Sequence, residues 1–239
     1  MYLNLIKKCL LDNIYDSYTY ENQKASHNQV LEGSYWPLRA HTMIGLKRLT
    51  NIQECFEDVI KNKVEGDLIE TGVWRGGATI FMKGLVNYYG ETNRKVFVAD
   101  SFEGLPPPDP RYPVDQNDPH HTFNYLRVSQ EEVKQNFQRY DLLDENVIFI
   151  KGFFEHTLHN NNNINKLSIL RLDGDMYSST IQVLESLYDK LSVGGYCIID
   201  DYGLNGCRHA VDDFIKTRNI QSPLIKIDYT GVYFKKLEN

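Results

Sequence analysis

The chain has 239 residues, a formal net charge of −6, and 41% hydrophobic against 24% charged residues. That length suits one large α/β domain, and the balance is that of a folded globular protein rather than a disordered chain. An acidic surplus with scattered Lys and Arg lacks the concentrated positive field a phosphate backbone demands, so no nucleic-acid partner is expected.

No apolar stretch approaches the roughly 20 residues of a membrane span, and Met1 to Lys8 is too short and too polar for a secretory leader. Cys9, Cys55, Cys197 and Cys207 form no CxxC pair and no metal-ligand spacing, which fits reduced thiols. A soluble, cytoplasmic protein with no membrane partner is the expectation.

Residues 1–41 open on a polar stretch rich in Tyr and Asn and read as an N-terminal arm: a cap over a pocket or neighbouring subunit, or a plain surface segment. A single domain over 42–239 follows. Apolar residues between Thr42 and Lys61 recur at helical spacing, and Gly66 ends that helix. Asp67 to Glu70 then reads as a short buried strand, Ala78 to Tyr89 as a helix and Lys95 to Asp100 as the next strand, which together make a βαβ unit.

Leu105 to His121 holds six of the eight prolines together with Asp109, Asp115, Asp118, His120 and His121, and is expected to form a long, stiff, functional flap. Ser129, with Glu132 three residues on, caps a helix running toward Tyr140. Strands at Asn146 to Lys151, Ile169 to Leu172 and Tyr196 to Ile199 alternate with helices at Ile181 to Leu191 and Ala210 to Thr217. Ile225 to Ile227 and Val232 to Phe234 form a terminal hairpin. The series predicts a doubly wound α/β sheet with an antiparallel C-terminal strand pair.

Three strand ends carry candidate chemistry. The first, Glu70-Thr71-Gly72-Val73-Trp74-Arg75-Gly76-Gly77, is a glycine-bearing turn that permits close ligand approach, although it is not GxGxxG. Asp100 ends the following strand, where a carboxylate either receives ribose hydroxyls or merely caps the turn. Further on, Asp173-Gly174-Asp175 and Asp200-Asp201 each follow an apolar run and lie 27 positions apart, enough for one helix and a return strand. Converging carboxylates repel one another unless a cation joins them, and oxygen-only donors suit a hard divalent ion. Helix capping by Asp175 and Asp201 is the plainer alternative.

Asp67 to Gly77, Val98 to Pro106, Leu170 to Asp175, Gly194 to Gly203 and Cys207 to Phe214 closely resemble the macrocin O-methyltransferase family, over about Thr42 to Phe234. The resemblance implies a class I methyltransferase (Rossmann-like) fold, S-adenosylmethionine as donor, Mg²⁺ as metal, a deoxysugar hydroxyl of a glycoside or glycan as acceptor, and a homo-oligomer. By position it implies Asp173, Asp200 and Asp201 as metal ligands, with Asp173 also the general base. Thr42, Met43, Glu70, Thr71, Gly72, Asp100, Ser101, Gly152, Phe153 and Asp173 are implied as cofactor contacts.

A catechol-type phenol would chelate the same cation and is the alternative acceptor. A nicotinamide-dependent sugar oxidoreductase would share Gly72 and Asp100 but leaves Asp200 and Asp201 without a task. A histidine of the flap is the alternative base to Asp173, and Tyr177 and Tyr202 flank the acids as candidates to pack on sugar or adenine.

Overall fold

Strands flanked by helices on both faces must be apolar on both sides, and the central strands here are. A computed structural model of the chain describes residues 1–159 and 161–238. Its strands are β1 (Asp67–Thr71), β2 (Val96–Asp100), β3 (Val147–Lys151), β4 (Leu167–Leu172), β5 (Leu191–Ile199), β6 (Ile225–Lys226) and β7 (Val232–Lys235). They form a single sheet in the order β3-β2-β1-β4-β5-β7-β6. β1 to β5 are mutually parallel, whereas β7 runs antiparallel to β5 and β6 antiparallel to β7. The doubly wound sheet and its antiparallel terminal pair are as the sequence predicts.

The helices are α1 (Tyr2–Leu10), α2 (His27–Glu32), α3 (Leu46–Lys61), α4 (Gly77–Tyr88), α5 (Gln130–Arg139), α6 (Phe154–Thr157), α7 (Tyr177–Leu187) and α8 (Asn205–Thr217). Strand side chains alternate between two cores, as the pleat requires. Leu68, Val96, Val98 and Ile198 pack with residues of α1, α3, α4 and α5, while Ile69, Phe97, Leu170 and Ile199 pack with α6, α7 and α8. The start of the chain thus contributes to the core: Leu3, Ile6 and Leu10 of α1 are buried, and α1 lies against α4.

Helix boundaries differ from the sequence reading at α3 and α7. α3 begins at Leu46 rather than Thr42, because the Thr42 hydroxyl accepts the Ile44 N–H (3.3 Å) and holds a local turn instead. α7 begins at Tyr177, four residues before the expected Ile181, and ends at Leu187. The proline-rich segment is folded, with single 3₁₀ turns at Pro113–Asp115, His120–Thr122 and Asn124–Leu126. Ser129 does cap α5, accepting the Glu132 N–H at 3.2 Å.

Candidate active site

In an open α/β sheet the crevice lies outside the carboxyl ends of the strands where strand order reverses, here between β1 and β4. A cavity of about 450 Å³ occupies that place. Thr42, Met43, Glu70, Gly72, Asp100, Ser101 and Phe153 line it from one side. Asp173, Asp200 and Asp201 line it from the ends of β4 and β5. Two residues expected as cofactor contacts stand apart. Thr71 is fully buried with its hydroxyl on the Arg171 carbonyl (3.3 Å), and Gly152 spends its N–H on the Asp100 carbonyl (2.9 Å); neither lines the cavity.

The turn after β1 depends on a missing side chain. Gly72 has φ +87°, and a Cβ there would sit 1.6 Å from the Asp173 carbonyl oxygen. Only glycine lets the β1 turn cross the β4 turn this closely. Asp100 secures the same turn: one oxygen accepts the Val73 N–H (2.7 Å) and the other the Phe102 N–H (2.7 Å). Burial raises its pKa against those bonds. A carboxylate offers about four lone-pair sites, so Asp100 retains capacity for a ligand hydroxyl.

The acidic centre is dense. One ligand atom each from Asp173, Asp200 and Asp201 falls within 4.8 Å of the others. Arg171, wholly buried in β4, donates to Glu70, to Asp200 and to Asp173 Oδ2 (2.8 Å). Arg48 of α3 reaches Asp200 and pairs with Asp228 at 2.8 Å. Both oxygens of Asp200 therefore face guanidinium groups.

Four carboxylates, Glu70, Asp173, Asp200 and Asp228, pair with these two cations, and Asp175 and Asp201 lie beside them with no cationic partner among the described residues. Burial and mutual repulsion displace the carboxyl pKa values of Glu70, Asp173, Asp175 and Asp201 upward. Burial, then the neighbouring charge of Asp200, pushes Asp173 up to about 6, and burial with Asp173 pushes Asp175 up to about 8. Burial likewise raises Glu70 to about 8 and Asp201 well above the carboxylate range. An excess of buried negative charge on oxygen-only donors is the chemistry a hard divalent cation fits. Glu70 Oε2 is buried and has no hydrogen-bond partner among the described residues.

Comparison with known proteins decides the family. The macrocin O-methyltransferase (TylF) family model matches residues 5–236. The chain belongs to the macrocin O-methyltransferase family. It is 45% identical to the 8-demethyl-8-(2,3-dimethoxy-α-L-rhamnosyl)-tetracenomycin-C 4′-O-methyltransferase of Streptomyces olivaceus, over 98% of this chain and 92% of that one. It is also 45% identical to the demethyldecarbamoylnovobiocin O-methyltransferase of Streptomyces niveus, over 99% and 93%. The solved structure of the O-methyltransferase NovP superposes with a TM-score of 0.95 at 46% identity, covering 99% and 98% of the two chains. This macrocin-family chain is therefore an S-adenosylmethionine-dependent O-methyltransferase, and the nicotinamide alternative falls away. The family match also reaches back into α1, to residue 5, well before Thr42.

Several residues of this macrocin-family site have no local signal in the sequence. Arg48 lies on the buried face of α3, and its carboxylate partners, Asp200 and Asp228, lie more than 150 positions away. Arg171 had one: a charge inside the apolar run Ser168 to Leu172. The capping alternative for Asp175 and Asp201 does not hold, since α7 and α8 receive no cap from them and Asp201 Oδ2 instead accepts the Asp175 N–H (3.1 Å). Tyr177 and Tyr202 turn outward to Asp213 (3.1 Å) and Asp212 (2.8 Å) and do not line the cavity. Of the flap histidines, His120 lines it and His121 does not.

Proposed function

We propose that this enzyme transfers the methyl group of S-adenosylmethionine to a hydroxyl on a deoxysugar of a glycosylated small molecule, with Mg²⁺ held by Asp173, Asp200 and Asp201. The observation that carries the reading is the meeting of the glycine turn of β1 and the three carboxylates of β4 and β5 in one cavity. The relative named for the 4′-O position of a rhamnosyl tetracenomycin supports the sugar acceptor.

Glu70, which lines the cavity at the end of β1, would receive the ammonium of the donor's methionine end, Asp100 the ribose hydroxyls, and Ser101 and Phe153 the adenine end. When bound, the sulfonium donor supplies an electrophilic methyl, and the divalent cation supplies a Lewis acid that acidifies a neighbouring hydroxyl. Asp173 takes the hydroxyl proton as the new oxygen–carbon bond forms and the carbon–sulfur bond breaks, leaving S-adenosylhomocysteine. Arg171 holds Asp173 Oδ2, which leaves Oδ1 to face the acceptor hydroxyl. Thr42 and Met43 would exclude water around the reacting atoms. Placement of both substrates supplies much of the rate.

Titration calorimetry tests the metal assignment. Mg²⁺ binding to Asp201→Asn is expected to weaken by about tenfold or more, as loss of one carboxylate in a metal site does, while S-adenosylhomocysteine affinity changes little. Equal Mg²⁺ affinity in the variant would remove Asp201 from the site. Offering a glycoside beside a catechol separates the sugar from the phenolic acceptor.

A further inference from the structure

From Leu105 to Arg127 a single residue is fully buried: Asp115, at 1% exposure. Its Oδ1 accepts the N–H of Tyr177 (2.7 Å) and its Oδ2 that of Ser178 (2.9 Å), the first two residues of α7. Those N–H groups are orphans of the helix start, and Met176, the residue before it, offers no side-chain cap. Asp115 thus supplies from 62 positions upstream what an adjacent Asp or Ser ordinarily supplies, with a charge that complements the helix dipole. α8 closes on the same contact, since a Cβ on Gly206 would lie 2.8 Å from Asp115 Oδ1 and 2.9 Å from the Tyr177 nitrogen. α7 follows the Asp173–Asp175 turn and α8 follows Asp200–Asp201, so one side chain ties the proline-rich segment to both acidic turns.

The segment continues from that anchor into the cavity. The Asp118 N–H bonds the Asp115 carbonyl (2.9 Å), and Asp118 Oδ1 accepts both the backbone N–H and the ring Nδ1–H of His120, each at 2.8 Å. Because a carboxylate only accepts, Nδ1 carries the ring hydrogen, and in the neutral imidazole Nε2 is the acceptor. The far end of the segment is held by aromatic packing: Tyr125 stacks on Trp36 (5.1 Å, 4°) and its carbonyl accepts the Trp74 Nε1–H (3.0 Å). His120 lies between these two fixed points and lines the cavity with Asp173 and Asp201.

We propose that Asp115 is a positioning residue that registers His120 against the acidic centre, so that Nε2 accepts a hydrogen bond from a hydroxyl of the acceptor beside the one methylated. The identity of that ligand rests on the sugar reading above; the anchoring does not. His120 is then a specificity residue for acceptors with neighbouring hydroxyls.

Two measurements on the full chain test it. Without acceptor, Asp115→Ala is expected to speed amide exchange across residues 113–126 and at Tyr177 and Ser178, with β1 to β5 unchanged. Exchange like that of the wild type would overturn the anchor. With S-adenosylmethionine, Mg²⁺ and 4-nitrophenyl α-L-rhamnoside, Asp115→Ala and His120→Phe should each raise the acceptor KM about tenfold, the scale of one lost hydrogen bond, and leave S-adenosylhomocysteine affinity unchanged. The double variant should lose no more than His120→Phe alone, whereas losses that multiply would show that Asp115 does not act through His120. Asp115→Asn keeps one accepting oxygen and should recover part of the KM; it carries both measurements if Asp115→Ala fails to fold. A wild-type enzyme that leaves the rhamnoside unmethylated would contradict the sugar reading and the His120 role with it, while unchanged exchange contradicts the anchor by itself.

Discussion

Arg171 holds Glu70, Asp173 and Asp200 at once from a position with no solvent exposure. Removing one member of a buried ion cluster leaves charge without compensation, at a cost of about 3–5 kcal/mol. Arg171→Met is expected to lower stability by that order in chemical denaturation, and Arg171→Lys to recover little, because a point-charge ammonium cannot reach three carboxylates as a planar guanidinium does. A denaturation midpoint near wild type for Arg171→Met would contradict the network.

The same cluster sets a pH dependence. Glu70 and Asp175 are raised to about 8 and Asp173 to about 6. A raised carboxyl pKa contributes stability that is full below the ordinary carboxylate range and lost as pH rises through the folded value. Metal-free protein should therefore melt lower at about pH 8 than at about pH 5.5. Because a cation binds the deprotonated carboxylates, the rise in Tm on adding Mg²⁺ should be larger at about pH 8. An increment from Mg²⁺ that is equal at both pH values in scanning calorimetry would contradict this electrostatic picture.

Among the elements, α1 shows how far the fold extends beyond the sheet. Leu3, Ile6, Leu10 and Leu11 are buried, and burying each such side chain is worth about 1.5–3 kcal/mol. The sum rivals the 5–15 kcal/mol by which whole domains are stable. Deleting residues 1–11 is therefore expected to abolish cooperative thermal unfolding, and a truncated protein that still melts in one sharp transition near the wild-type Tm would show α1 to be dispensable. The i, i+3, i+7 spacing of Leu3, Ile6 and Leu10 was a readable helical signal, masked by the polar residues that follow. The early start of α7 was not readable, because its cap is Asp115 and no local pattern joins residues 62 positions apart.

For the whole molecule, the parallel strands and their acidic or glycine-bearing ends were legible because a strand buried on both faces must be apolar until it emerges at the crevice, where polarity returns abruptly. Asp100, Asp173, Asp200 and Asp201 stand at such transitions, and the cavity gathers all four. What the strand pattern could not convey is the second layer: Arg48 from α3, Asp228 beside β7 and His120 from the proline-rich segment enter through tertiary contacts. Thr71 and Gly152 show the converse, since adjacency to a site residue did not bring them to the cavity. The central claim is methyl transfer to a sugar oxygen at a carboxylate-bound cation, and mass spectrometry with a methyl-labelled donor tests it most directly. With S-adenosylmethionine, Mg²⁺ and a rhamnoside, one labelled methyl should appear on the sugar fragment, vanish with EDTA and return with added Mg²⁺. Label on an aromatic hydroxyl instead, or full transfer under exhaustive chelation, would contradict it.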